Sequence, residues 1–205
     1  MNHRARFAWL AAAGIVLGLA APASAGPSVG EPAPAFSLTD QNGKTRSLSE
    51  FQGKFVVLEW FNNECPFVRK HYDSGNMQGL QASYTGKGAV WLTISSSAPD
   101  KQGHIASADA ARGIIAGREA HQTALLLDAD GTVGQVYGAK TTPHMFVINP
   151  KGLLIYKGAI DDQPSPDPAD IPGAVNYVQQ ALDEAMAGHP VTVAETSSYG
   201  CSVKY

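Results

Sequence analysis

The chain has 205 residues, 44% of them hydrophobic and 16% charged, with a formal net charge of −3. That is apolar material enough for one well-packed domain, and no Lys/Arg cluster stands out that could track a phosphate backbone, which argues against nucleic acid as a partner. Two cysteines, Cys65 and Cys201, are too few for a disulfide scaffold, so they form one structural bridge or a redox pair.

The first 25 residues read as a signal peptide. Arg4 and Arg6 supply a basic start, residues 8–21 an apolar stretch, and Ala23-Ser24-Ala25 a small-residue cleavage site. The apolar stretch is short for a span and Pro22 follows it, so no stable membrane anchor is expected. Cleavage after Ala25 leaves residues 26–205 as the folded domain, its tail being 189–205. The expected location is outside the cytoplasm, in a bacterial periplasm, where disulfides form and persist.

Residues 26–34 are rich in Pro and Gly and read as an extended arm. Residues 36–38 and 45–47 flank Asp40-Gln41-Asn42-Gly43 and predict a small hairpin, Asn-Gly being a tight-turn signal. The apolar run 55–58 opens a buried strand that extends to 61. A helix follows Cys65 to about 72, Asp73-Ser74-Gly75-Asn76 interrupts it, and residues 77–84 resume it. A second buried strand covers 89–95, an alanine-rich helix 107–120, and a third strand 123–127. A short helix near 133–137 precedes Thr142-Pro143 and a strand over 144–148. Asn149-Pro150-Lys151-Gly152 turns that strand back antiparallel over 153–156. Ile171-Pro172 is read as opening a last amphipathic helix that ends near 187, with Gly188 as its cap. The alternation of strand and helix predicts an α/β fold, a central mixed sheet flanked by helices, with an N-terminal hairpin and an irregular tail.

The chemistry centres on Cys65. Pro66 suits the first helical position, because its missing N–H would be unpaired there and its φ is already helical. Cys65 then stands at the N-cap, where free N–H groups and the positive end of the helix dipole favour a thiolate. Arg69, one turn on, adds positive charge, while the Glu64 carboxylate opposes it. Functional groups in such sheets gather beyond the carboxyl ends of the parallel strands, which is where Cys65 falls. The structural alternative is a small buried apolar residue. Cys201 has three readings: it resolves a sulfenic acid on Cys65, forms a permanent bridge with it, or bonds another chain. Trp60 is expected to wall the cysteine, with core packing as the alternative. His144 follows Pro143 and is read as near the site or, more commonly for a strand histidine, as structural; Asp161-Asp162 are read as a solvated loop, with the rim of the site as the alternative. Histidines 71, 104, 121, 144 and 189 show no ligand spacing with cysteine, so no metal and no other cofactor is expected.

The strand, the Trp-containing turn, the Cys-Pro helix start and the later Thr-Pro together resemble the thioredoxin superfamily. Within it, ECPFVRKHY, TTPH, GAIDD and the terminal YGCSVKY are similar to exported peroxiredoxin-like (redoxin) proteins, over residues 29–205. The resemblance implies a thioredoxin-like fold, a cis bond before Pro143, and a backbone at Thr142 that pairs with an extended thiol substrate or borders a peroxide pocket; the alternative at Pro143 is an ordinary trans turn. It implies a thiol oxidoreductase whose Cys65 reduces a hydroperoxide through a sulfenic acid, with Cys201 resolving it and an external thiol protein as reductant. Two positions depart from the pattern. Val68 stands where thioredoxins carry their second cysteine, and Leu58 and Asn62 stand where peroxiredoxins carry Pro and Thr/Ser. Asn62 is expected to position substrate by its amide. The alternatives are exchange with a disulfide substrate and a non-enzymatic module stapled by Cys65–Cys201.

Overall fold

The computed structural model describes residues 26–205. The signal-peptide reading of residues 1–25 lies outside the described residues. The hairpin forms as expected, β1 over Ser37–Asp40 and β2 over Thr45–Ser47. It is followed by a 3-10 turn at Leu48–Phe51. β3 (Val56–Trp60) is buried at every position. It runs parallel to β4 (Val90–Ser95), which runs parallel to β5 (Ala124–Leu127). β6 is the pair Thr141–Thr142, β7 spans His144–Ile148, and β8 spans Leu154–Gly158. β7 lies antiparallel to both β3 and β8. The seven-stranded sheet has the order β2-β1-β5-β4-β3-β7-β8.

Helices α1 (Pro66–Asp73), α2 (Asn76–Gly86), α3 (Ala108–Gly117) and α5 (Tyr177–Met186) bury their apolar residues in one core. A second core lies across the sheet, under α4 (Thr132–Tyr137) and the 3-10 turn. Side chains of a strand alternate between faces, so Val57 joins Cys65 in the first core while Leu58 and Trp60 join the second. Trp60 therefore does not wall the cysteine. Its indole N–H donates to Ser96 Oγ at 3.0 Å, and its ring packs 5.1 Å from Phe146 and 5.3 Å from Tyr137.

The last helix starts later than its sequence suggests. Pro168–Gly173 forms a separate 3-10 turn capped by Asp167. Pro172 donates no N–H and Ala174 is extended, so the chain restarts at Asn176, whose side chain accepts from Gln179 N at 2.9 Å.

The tail is ordered by pairing that its sequence does not announce. It runs along β8, with Lys157 N donating to Ala194 O and Thr196 N to Lys157 O, both at 3.1 Å. It then forms β9 (Cys201–Ser202), antiparallel to β6, so that Cys201 stands opposite Thr142. Ala98 N donates to Lys204 O at 2.8 Å, and Tyr205 Oη donates to Ala139 O at 2.8 Å.

Candidate functional site

Cys65 has extended backbone (φ −71°, ψ 125°) and Pro66 occupies the first helical turn. The Cys65 carbonyl accepts the helix's opening bond from Arg69 N at 2.9 Å. The sequence thus places the sulfur at the helix start, at the end of β3. The Thr142-Pro143 peptide bond is cis, and the Cys65 thiol donates to Thr142 O at 3.1 Å. Cys201 comes to the same place across the β6–β9 pairing. The two cysteines are free thiols, and Cys201 stands opposite Thr142, whose carbonyl the Cys65 thiol meets.

Their acidities diverge. Burial pushes the Cys65 thiol up, but the Cys201 thiol, the Thr142 hydroxyl and the Val68 and Cys201 N–H groups together pull it below the ordinary value. The Thr142 hydroxyl is buried and makes no hydrogen bond, which leaves it free to turn toward the sulfur. The Val68 N–H acts from beyond strict capping distance, since the sulfur makes no cap hydrogen bond. The contact with the Thr142 carbonyl favours the thiol, and the donors outweigh it. Burial, and then the neighbouring Cys65 sulfur, push Cys201 up to about 11. The inner member of the pair is the stronger acid.

The other expected site residues lie differently. Asn62 is buried, but its amide is engaged: Oδ1 accepts from Glu64 N at 2.9 Å and Nδ2 donates to Gln102 O at 3.0 Å. Arg69 is more than half exposed and pairs with Asp73 at 3.8 Å. Neither it nor the exposed Glu64 is among the groups that set the Cys65 acidity. His144 is buried, accepts from Lys140 N at 3.2 Å, and is held neutral down to about 3, chiefly by burial. Asp161 is not solvated; it is 2% exposed.

Two polar groups escaped the sequence reading. Glu59, fully buried in β3, accepts from Trp91 Nε1 (2.8 Å), Tyr72 Oη (2.9 Å), Thr93 Oγ1 (3.2 Å) and Gln81 Nε2 (3.3 Å). Burial pushes its carboxyl up against those donors. The signal was a lone acid inside an otherwise apolar strand. The second group is Lys70, His71 and Asp161, closed by Tyr199 from the tail.

Among the described residues no group of three or more His, Cys, Asp or Glu is placed to hold a metal ion, and no helix is long and apolar enough to cross a membrane. A cavity of about 590 Å³ is lined by Phe55, Leu153 and Val191 among others and touches neither cysteine. Cys65 itself is 0% exposed, and Tyr199 and Cys201 of the tail pack against the core cluster it belongs to.

Residues 29–157 match the model of the AhpC/TSA family. No curated protein sequence matches the chain. Among solved structures, an uncharacterised conserved protein of Geobacillus kaustophilus is 25% identical, with 92% of this chain and 98% of that one covered at a TM-score of 0.75. A hypothetical protein of Sinorhizobium meliloti is 24% identical, with 87% and 95% covered at 0.71. A structure from Chlorobium tepidum described as a thiol:disulfide interchange protein DsbE is 25% identical, with 63% and 84% covered at 0.52. These likenesses establish a thioredoxin-like fold.

Proposed function

The chain belongs to the AhpC/TSA family, which makes it a redoxin of the thiol oxidoreductases, and from that premise we propose that it exchanges electrons with a disulfide substrate through the pair Cys65–Cys201. The observation that carries this reading is the juxtaposition of an acidified Cys65 and a weakly acidic Cys201 at the Thr142 backbone.

In the reductive direction the Cys65 thiolate attacks one sulfur of the substrate disulfide, forming a mixed disulfide and releasing the other sulfur as a thiolate, which takes up from water the proton that Cys65 gave up on ionising. The Cys201 sulfur then attacks Cys65 Sγ and displaces the second substrate sulfur, which leaves with the proton that Cys201 gives up. The substrate gains two electrons and two protons, and the protein holds Cys65–Cys201 as a disulfide. An external dithiol protein resets it.

A second reading is peroxide reduction, favoured by the same placement of Cys201, which suits a resolving thiol. The engaged Asn62 amide and the outward Arg69 leave no donor of those two aimed at a peroxide, so we favour disulfide exchange. The signal-type start of the chain supports action outside the cytoplasm.

The test uses Cys201→Ser, which stops either reaction after its first step. Reduced variant is mixed with a disulfide-bonded cysteine peptide or with hydrogen peroxide and read by intact mass. Rapid gain of the peptide's mass at Cys65, with slow oxidation by peroxide, supports exchange. Fast sulfenic acid formation with no mixed disulfide overturns it.

A further inference from the structure

Cys201 lies opposite Thr142 in a tail held at several points, and one of the residues that hold it lies two positions earlier. The Tyr199 hydroxyl donates to Asp161 Oδ1. Asp161 Oδ2 lies 3.6 Å from Lys70 Nζ and 3.8 Å from His71 Nε2. Lys70, with its side chain 0% exposed, also donates to Gln163 O at 2.8 Å. His71 Nδ1 accepts from Asn76 Nδ2 at 2.8 Å, which assigns the imidazole proton to Nε2, 3.5 Å from Tyr199 Oη. The Tyr199 ring meets Phe67 edge to face at 5.9 Å and lies 5.8 Å from Lys70 Nζ.

Phe67, Lys70 and His71 all belong to α1, the helix that Cys65 caps. One helix therefore presents the nucleophile at its start and grips the tail one turn later. Between grip and thiol stands Gly200, at φ +122°, where a Cβ would lie 2.2 Å from Thr142 O. The Asp161 carboxylate is buried beside Lys70, and its Oδ1 accepts from Gln163 N at 3.0 Å as well as from the Tyr199 hydroxyl. Loop and helix thus build a buried acceptor that takes one tail hydroxyl.

We propose that Tyr199 is the positioning residue for Cys201: its hydroxyl, bound in the Asp161–Lys70–His71 cluster, keeps Cys201 beside Cys65, and its release uncovers Cys65 for an incoming disulfide. The inference rests on the exchange reading above. Holding a thiol at the sulfur it must attack raises its effective concentration far above that of a loose tail. The same hold shields Cys65, so loosening it moves two observables in opposite directions.

The test compares wild type with Tyr199→Phe, which keeps the ring and removes the hydroxyl. The first arm measures the equilibrium of the Cys65–Cys201 disulfide against glutathione. The second measures iodoacetamide alkylation of Cys65 in a Cys201→Ser background, with and without Tyr199→Phe. We expect Tyr199→Phe to lower the effective molarity of the pair about tenfold and to speed alkylation by a similar factor, a tenfold change corresponding to about 1.4 kcal/mol. Phe67→Ala, made at a half-buried position, is a second variant and should act in the same direction. Changes within twofold in both arms, for both variants, would overturn the proposal. If wild type forms no Cys65–Cys201 disulfide at any glutathione ratio, the exchange reading fails. The alkylation arm then still decides whether Tyr199 holds the tail, because it needs Cys65 alone.

Discussion

Replacing Glu59 by alanine removes the acceptor that four buried donors share. Trp91 Nε1 and Tyr72 Oη make the two closest contacts, at 2.8 and 2.9 Å, from residues that are 0% and 4% exposed. A buried donor left without a partner costs about 1–3 kcal/mol. The other two donors lie at 3.2 and 3.3 Å and contribute less. The expected loss is on the order of 3–5 kcal/mol, a large share of the roughly 5–15 kcal/mol that holds a domain together. The loss carries a pH signature. Burial raises the Glu59 carboxyl above its unfolded value of 4.5, so the folded chain keeps a proton that the unfolded chain gives up. That stabilisation is fully present below 4.5 and is lost as the pH rises through the folded value. Urea denaturation of wild type and Glu59→Ala at pH 4.5 and pH 8 should therefore show a gap that is wider at the lower pH. A gap under about 1 kcal/mol, or one that widens with rising pH, would refute this account of the carboxyl.

Three further perturbations follow from the same geometry. Burial holds His71 neutral down to about 4 and His144 down to about 3. Their contribution is present above 6.5 and is lost as the pH falls toward those values, at up to about 1.4 kcal/mol per pH unit for each; His144→Gln should flatten the acid limb of a urea-midpoint profile, and an unchanged limb would contradict the burial argument. Cys201→Ala removes the thiol that donates to Cys65, so the Cys65 titration, followed by thiolate absorbance, should move to higher pH than in wild type; no movement would show that Thr142 and the helix start suffice. At Gly134 an added Cβ would lie 2.6 Å from Tyr205 Oη and 2.9 Å from Ser96 Oγ. Gly134→Ala should unseat the end of the tail and make Cys65 alkylate several-fold faster, and an unchanged rate would mean that the terminal contact does not guard the sulfur.

What could be read from the sequence was what is local. The strand, turn, Cys-Pro and helix of residues 55–73 are specified by neighbours within a few positions, and they form where expected. So do the hairpin at Asn42-Gly43 and the interruption between α1 and α2. The last helix was misjudged because Ile171-Pro172 resembles a helix start, while the Asn176 cap that wins is a weaker sequence signal. The two polar clusters were out of reach for another reason. Asp161 and Tyr199 are 38 positions apart, and nothing periodic connects a loop aspartate to a tail tyrosine. Asp161 therefore looked solvated. Cys201 was recognised as a candidate partner, but its place opposite Thr142 depends on a two-residue pairing whose register no local pattern encodes. Arg69 looked electrostatically important from spacing alone, yet the helix turns it toward Asp73 and solvent.

The central claim is that Cys65 and Cys201 interconvert between dithiol and disulfide while a substrate disulfide is reduced. The most direct measurement adds one equivalent of a disulfide-bonded cysteine peptide to reduced wild-type protein, quenches with acid, and maps the products by non-reducing proteolysis and mass. The account predicts a released, reduced peptide and one cross-linked fragment joining Cys65 to Cys201, each sulfur having lost its hydrogen. Recovery of both cysteines as free thiols, or of Cys201 joined to a second copy of the chain while Cys65 stays reduced, would contradict it.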